Sequence, residues 1–228
     1  MSLPHFYLES QVIADEGAAA FPLRLAADDA QHARVLRLAP GEHVAVVDAA
    51  RDYFECEIVA FDDNLPVVRI AQRFEDEPDR PMVVLAQGLA KGDKMDTVIR
   101  HATELGVSAF APFACERSIV KLDDKKAAAR VQRWRSIAKS AAMQSGQRAM
   151  PEVTDVGALE DLCALFAHST AVPVCWEEAP GTARLDEAIE RAPVQLRAGA
   201  AHARVRVLAG PERRLTQREA GARPPCPP

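Results

Sequence analysis

Apolar and polar residues alternate at a period of two along Tyr53–Phe61, which predicts a half-buried strand. Pro66–Phe74 repeats that pattern, and His43–Asp48 is a third strand candidate that ends near a turn. Ahead of them, Ala26–Arg37 predicts a short helix with Asp28 or Asp29 as its candidate cap. Pro40-Gly41 then ends that helix and turns the chain. Short strands with one helix predict a small β-barrel over residues 1–74. The charged, Pro-containing stretch Glu75–Pro81 has no apolar side chain and is the expected linker.

Beyond the linker the rhythm changes. Met82–Ala86 is an almost wholly apolar run, suited to a strand buried on both faces. A helix is predicted next, with Met95, Ile99, Ala102 and Leu105 on one stripe and Gly106 in the position of a C-cap glycine. Val107–Phe113 is the following strand. A long helix over Asp123–Ser145 places Val131, Trp134, Ala138 and Ala141 inward and Lys126, Arg130 and Arg133 outward. Ala171–Trp176 and Val205–Ala209 are further strands. Strands alternating with helices predict an α/β fold with a mostly parallel sheet over residues 82–228.

Composition narrows the functional classes. The chain has 228 residues, 48% of them hydrophobic and 27% charged, which is the balance of a globular protein. No apolar run approaches the roughly 18 residues of a membrane span. Met1–Tyr7 has no basic region followed by an apolar stretch, so no signal peptide is expected and the cytoplasm is the expected location. Cys56, Cys115, Cys163, Cys175 and Cys226 are widely spaced with no C-x-x-C pair, which argues against a disulfide framework and a structural zinc site. The net charge is −5, yet residues 116–148 carry nine basic side chains against three acidic ones. A local basic patch on an acidic protein suits an anionic partner approached from one side.

Gly88-Leu-Ala-Lys-Gly-Asp-Lys94 follows a strand and opens a helix, but it is not a phosphate loop. Three residues separate its glycines instead of four, and Met95 stands where Ser or Thr is required. No G-x-G-x-x-G is present, so a dinucleotide site has no support.

Four stretches taken together resemble a known family. They are Lys91–Asp96; Ala102–Val107 with Pro112 and Glu116–Ser118; Arg133–Ala138 with Gln144–Arg148 and Pro151; and Leu208–Glu212. Their order and spacing are similar to the knotted, SPOUT-type methyltransferases, specifically the ribosomal RNA small subunit methyltransferase E family, which methylates N3 of a uridine in 16S rRNA. His32–Arg37 with Gly41 and Asp48 is similar to that family's PUA-like RNA-binding domain. The resemblance implies a homodimer that binds S-adenosyl-L-methionine in a trefoil-knotted region and small-subunit rRNA or the 30S subunit with both domains. It implies no metal and no membrane.

The resemblance also nominates residues. Trp176 and Glu177, after a strand, stand where the donor pocket begins; Leu208, Gly210, Pro211 and Glu212 form its next loop, where glycine permits close backbone approach. The RNA-contact candidates are Arg34, Arg37, Lys91, Arg117, Lys121, Arg130, Arg133 and Arg148. Arg117 and Lys121 follow a strand at its carboxyl end, where open α/β sheets hold ligands. Arg34 and Arg37 suit phosphates or a plain solvated face, and Lys126, Arg130 and Arg133 divide evenly between those readings. Trp134 is expected in the core or a dimer contact, and Glu104 in a structural role.

The chain departs from the family after Glu212. Arg213-Arg214 stand where the family has Gly-Gly, and the end is rich in proline. The family's Leu-Gly-x-Arg-x-Leu-Arg segment, which supplies a catalytic arginine, has no counterpart, so no catalytic residue is nominated. The donor site and knot are expected to be incomplete, and the alternative reading is a catalytically dead RNA-binding remnant.

Overall fold

A computed structural model describes residues 3–75, 81–115, 122–166, 171–175, 187 and 204–210. These divide into two compact units, one within Met1–Glu77 and Ala142–Met150, the other within Pro78–Ala141 and Pro151–Pro228.

The first unit is built on a five-stranded sheet. Its strands are β1 (His5–Tyr7), β2 (Phe21–Pro22), β3 (His43–Val47), β4 (Tyr53–Asp62) and β5 (Leu65–Phe74), in the order β1-β3-β4-β5-β2. β1 runs parallel to β3, and the other pairs are antiparallel. Asp63 and Asn64 join β4 to β5 with φ of 44° and 65°, the left-handed pair that matches a hairpin's twist. Helix α1 spans Ala27–Val35. Its N-cap is Ala26, which makes no side-chain cap bond, so the cap expected from Asp28 or Asp29 does not form; Asp29 is instead buried in the first turn. Phe6, Ile13, Leu23, Val44, Phe54 and Ile58 form the core.

Two buried polar side chains organise this unit's turns. Asp48 accepts from the backbone N–H groups of Ile13, Ala50 and Asp52 at 2.9 Å each. Gln11 donates to Glu16 and to the Pro22 carbonyl and accepts from the Arg24 N–H. Each therefore satisfies backbone groups that the sheet leaves over.

The second unit holds a sheet that is parallel throughout: β6 (Met82–Gly88), β7 (Ala109–Ala114), β8 (Glu152–Val153), β9 (Gly157–Ala158), β10 (Val174–Cys175) and β11 (Arg204–Ala209). The order is β10-β11-β6-β7-β8, with β9 also on β7. Helices α2 (Lys94–Glu104) and α3 (Asp124–Ser145) cover one face through Met95, Ile99, Val131, Trp134 and Ala138. Helix α4 (Leu159–Phe166) covers the other through Leu159 and Leu162, against Ala86, Phe113 and Leu208. Burial on both faces explains the nearly continuous apolar runs of β6 and β7. The expected α/β class with a parallel sheet is thus present.

Gly106 ends α2 with φ of 89°; its N–H reaches the Thr103 carbonyl and the Val107 N–H reaches Ala102, the two bonds of a Schellman cap. Leu105, placed on the apolar stripe by periodicity, is 87% exposed, because the helix has already begun to unwind at its cap. Helix α3 ends the same way at Gly146, with the Gln147 N–H on the Ala142 carbonyl. The residues from Ala142 to Met150 belong to the first unit, where Ala142 packs with Tyr7 and Val47.

Candidate functional site

Open parallel sheets hold ligands outside the carboxyl ends of their strands, where the strand order reverses. Here β6 is that strand: the chain leaves it for β7 on one side, and β11 returns to its other side. The carboxyl edge therefore gathers Gln87-Gly88 of β6, Phe113-Ala114 of β7 with Cys115 after it, Cys175 of β10, and Ala209 of β11 with Gly210 after it.

Gln87 lies at the centre of this edge and is 9% exposed. Its Nε2 donates to the carbonyl of Gly88 at 3.0 Å and to the carbonyl of Gly210 at 3.1 Å. Only the nitrogen end of an amide can face two carbonyl oxygens, so the side chain's orientation is fixed by its partners. Motif reading missed this residue. The available signal was one amide in the otherwise apolar run of β6.

The loop after β6 stays close to the sheet at first. Leu89 and Ala90 are buried, and the Leu89 N–H donates to the Phe113 carbonyl. Lys91, Gly92 and Asp93 then emerge into solvent, with Gly92 at φ 66°. Lys91 thus stands exposed on the loop that leaves the carboxyl edge. Leu208, in β11, is buried against Ala86 and Phe113 and contributes apolar surface beneath the edge.

Gly210 is the last described residue of the expected donor loop. Trp176, Glu177, Pro211, Glu212, Arg117 and Lys121 lie outside the described residues. The remaining basic candidates separate by environment. Arg34 and Arg37 are exposed on and just after α1, Arg37 at φ 54°. Arg130 is half-buried on α3. Arg133 puts Nε and one terminal nitrogen on Asp96 Oδ2 at 2.9 and 2.5 Å. That hydrogen bond, and then the charge of Asp96, raise the guanidinium's pKa. Arg133 joins α3 to α2, a use that the outward placement on the helical wheel did not reveal. Arg148 belongs to the first unit: its guanidinium sits 4.8 Å from the Tyr53 ring centre and 5.6 Å from that of Phe74, and it donates to the Glu75 carbonyl. Trp134 is 1% exposed, within the core of the second unit.

Among the described residues, no three His, Cys, Asp or Glu side chains converge as metal ligands, and no helix is long and apolar enough to cross a membrane.

Comparison with known proteins adds an independent line. A family model for the RNA methyltransferase domain matches residues 77–222. The chain is 36% identical over 147 residues to the ribosomal RNA small subunit methyltransferase E of Bacillus subtilis, covering 63% of this chain and 57% of that protein. It is 30% identical over 152 residues to the protein of the same name from Mycobacterium bovis, covering 66% and 56%. These matches span little more than half the length of the curated relatives. Among solved structures, one described as a hypothetical protein superposes with a TM-score of 0.79 at 28% identity over 96% of this chain and 84% of its own. The Neisseria gonorrhoeae small subunit methyltransferase E, solved with S-adenosyl methionine, superposes with a TM-score of 0.76 at 24% identity, covering 97% and 85%; that likeness is one of fold.

Proposed function

Because the chain belongs to the RNA methyltransferase family, in the group of the ribosomal RNA small subunit methyltransferase E proteins, we propose that it transfers a methyl group from S-adenosyl-L-methionine to N3 of a uridine in 16S rRNA, in the cytoplasm and as a homodimer. The observation that carries this reading is the coincidence of the matched domain with a parallel sheet whose carboxyl edge has a glycine at the end of each of two adjacent strands, Gly88 closing β6 and Gly210 directly after β11.

That edge fits the donor. Gly88 and Gly210 let backbone come close to a ligand without a Cβ in the way. Leu89 and Ala90, buried on the α2–α3 side of the sheet, and Leu208, buried on the α4 side, anchor the strand ends beneath the edge, and the loop backbone supplies polar groups for the amino-acid end. When bound there, S-adenosylmethionine supplies an electrophilic methyl on a sulfonium. The chain's task is to orient that methyl toward uracil N3 in line with the departing sulfur and to favour the deprotonated uracil by cationic or hydrogen-bonding groups. Trp176, Glu177, Pro211 and Glu212 are proposed to complete the donor pocket, and no catalytic residue is assigned.

The first unit is proposed as the PUA-like RNA-binding barrel, with Arg34 and Arg37 on phosphates. In the second unit Lys91, Arg117, Lys121 and Arg130 are proposed on the RNA. Arg133 and Arg148 are left out, because Asp96 and the Tyr53–Phe74 pair already use their guanidinium groups.

Two measurements test this together. Calorimetric titration with S-adenosylmethionine should give saturable micromolar binding, and incubation with unmethylated 30S subunits should yield N3-methyluridine on digestion. Absence of both overturns the enzyme reading. Salt-dependent RNA binding without donor binding would instead favour a catalytically dead RNA-binding protein, the reading raised by Arg213-Arg214 at the family's Gly-Gly positions.

A further inference from the structure

We propose that Gln87 is a positioning residue that sets the direction in which the chain leaves β11 toward the donor, an inference that rests on the donor-site reading above. Parallel strands β6 and β11 pair in register through Ala209↔Gln87, and beyond that pair the ladder has no further rung. Two carbonyls stand at the parting of the strands, those of Gly88 and Gly210. The Gln87 amide takes both, one hydrogen to each. It thereby substitutes for the ladder bonds that the strands can no longer make.

The tie to Gly210 has particular weight because the next residue is Pro211. A glycine–proline peptide has no N–H, so its carbonyl is its only polar group. Glycine at 210 also has the widest choice of backbone angles of any residue. A permissive residue followed by a peptide with one polar handle has little to fix it locally. Gln87 grips that handle from a buried position on the neighbouring strand, at 3.1 Å. The amide thus replaces local stiffness with a tertiary constraint, at the residue where the proposed donor loop begins.

The test compares wild type with Gln87→Met, which keeps the length and apolar stem but has no donor, and Gln87→Asn, which keeps the donor on a shorter stem. Hydrogen exchange is read on the amides of Arg204–Gly210, and S-adenosylmethionine affinity by calorimetry. Gln87→Met should speed exchange near the end of β11 about tenfold and weaken donor binding about tenfold, while amides of α2 and α3 keep their protection. Gln87→Asn should fall between, and it serves as the folded variant if Gln87→Met loses protection throughout. Unchanged exchange at β11 overturns the inference outright. Faster exchange with unchanged donor affinity overturns its link to the donor. Wild-type protein that binds no donor overturns the proposed function and that link with it, while the exchange comparison still decides whether Gln87 holds the strand end.

Discussion

Asp48 in the first unit and Gln87 in the second are both buried polar residues beside a strand end, yet they serve opposite ends. Asp48 holds three N–H groups of its own unit's turns, so its bonds close a structure in on itself. Gln87 holds two carbonyls at an edge where strands part, so its bonds tie one strand end to its neighbour. A saturated buried polar group signals fold when its partners are sequestered in a turn. It signals a site when its partners stand at the carboxyl edge of a parallel sheet.

The comparison breaks most sharply at Asp48. Asp48→Ala leaves three N–H donors without their acceptor, which should cost on the order of 3 kcal/mol or more. Urea denaturation followed by circular dichroism reads that loss. A cost below about 1 kcal/mol would mean that these groups find other partners and that the turn does not depend on Asp48.

His5 gives the next largest effect. It is 3% exposed, its Nε2 has no partner among the described residues, and its ring lies 5.1 Å from Tyr7 and 5.5 Å from Tyr53. Burial lowers its pKa from 6.5 to about 4 and raises those of both phenols; the charges that act on the neighbouring Tyr53 are Arg148, over its ring, and Glu55. Between pH 6.5 and 4 the unfolded chain binds the extra proton, so stability should fall as pH falls through that window, by on the order of 2 kcal/mol. His5→Phe should flatten that slope and raise stability at pH 5. A slope as steep in the variant as in wild type would assign the pH dependence to other groups.

The sequence made some of this legible and hid the rest for physical reasons. Long strands with a clear period, β4 and β5, and the helix around Trp134 follow from pattern alone, because burial selects side chains at the spacing of the element. β1 and β2, at three and two residues, are too short to express a period. The Gly106 cap could be read because glycine takes a positive φ without strain. The Arg133–Asp96 pair could not, since periodicity tells which way a side chain starts and not which neighbouring helix it meets. Leu208 and Gly210 were named through the family motif, and their placement at the sheet's edge follows from topology. Gln87 belongs to no motif and gains its meaning only from the carbonyl of a residue 123 positions away.

Arg133 sharpens the comparison within the second unit. Asp96→Asn removes the charge that holds it and weakens the link from α2 to α3. The Tm should fall by less than Asp48→Ala lowers it, because Arg133 is largely exposed and keeps its hydration. Donor affinity should hold, since Asp96 and Arg133 bond to each other and neither belongs to the proposed donor loops. A loss of donor binding as large as that of Gln87→Met would place the α2–α3 pair in the site.

The smallest effect separates charges that bind from charges that build. Arg34 and Arg37 are exposed and are proposed to meet phosphates, whereas Arg133 is tied to Asp96. Arg34→Gln with Arg37→Gln should leave the Tm unchanged, weaken rRNA-fragment binding several-fold, and lower the slope of log affinity against log salt by about 1 per lost contact. Arg133→Gln should do the reverse, lowering the Tm and leaving the salt slope in place. Counterion release responds only to charges that reach the nucleic acid, so the slope distinguishes the two kinds of arginine where affinity alone would not. An unchanged slope in the double variant would remove α1 from the proposed RNA surface, and a reduced slope in Arg133→Gln would show that its pairing with Asp96 gives way to phosphate.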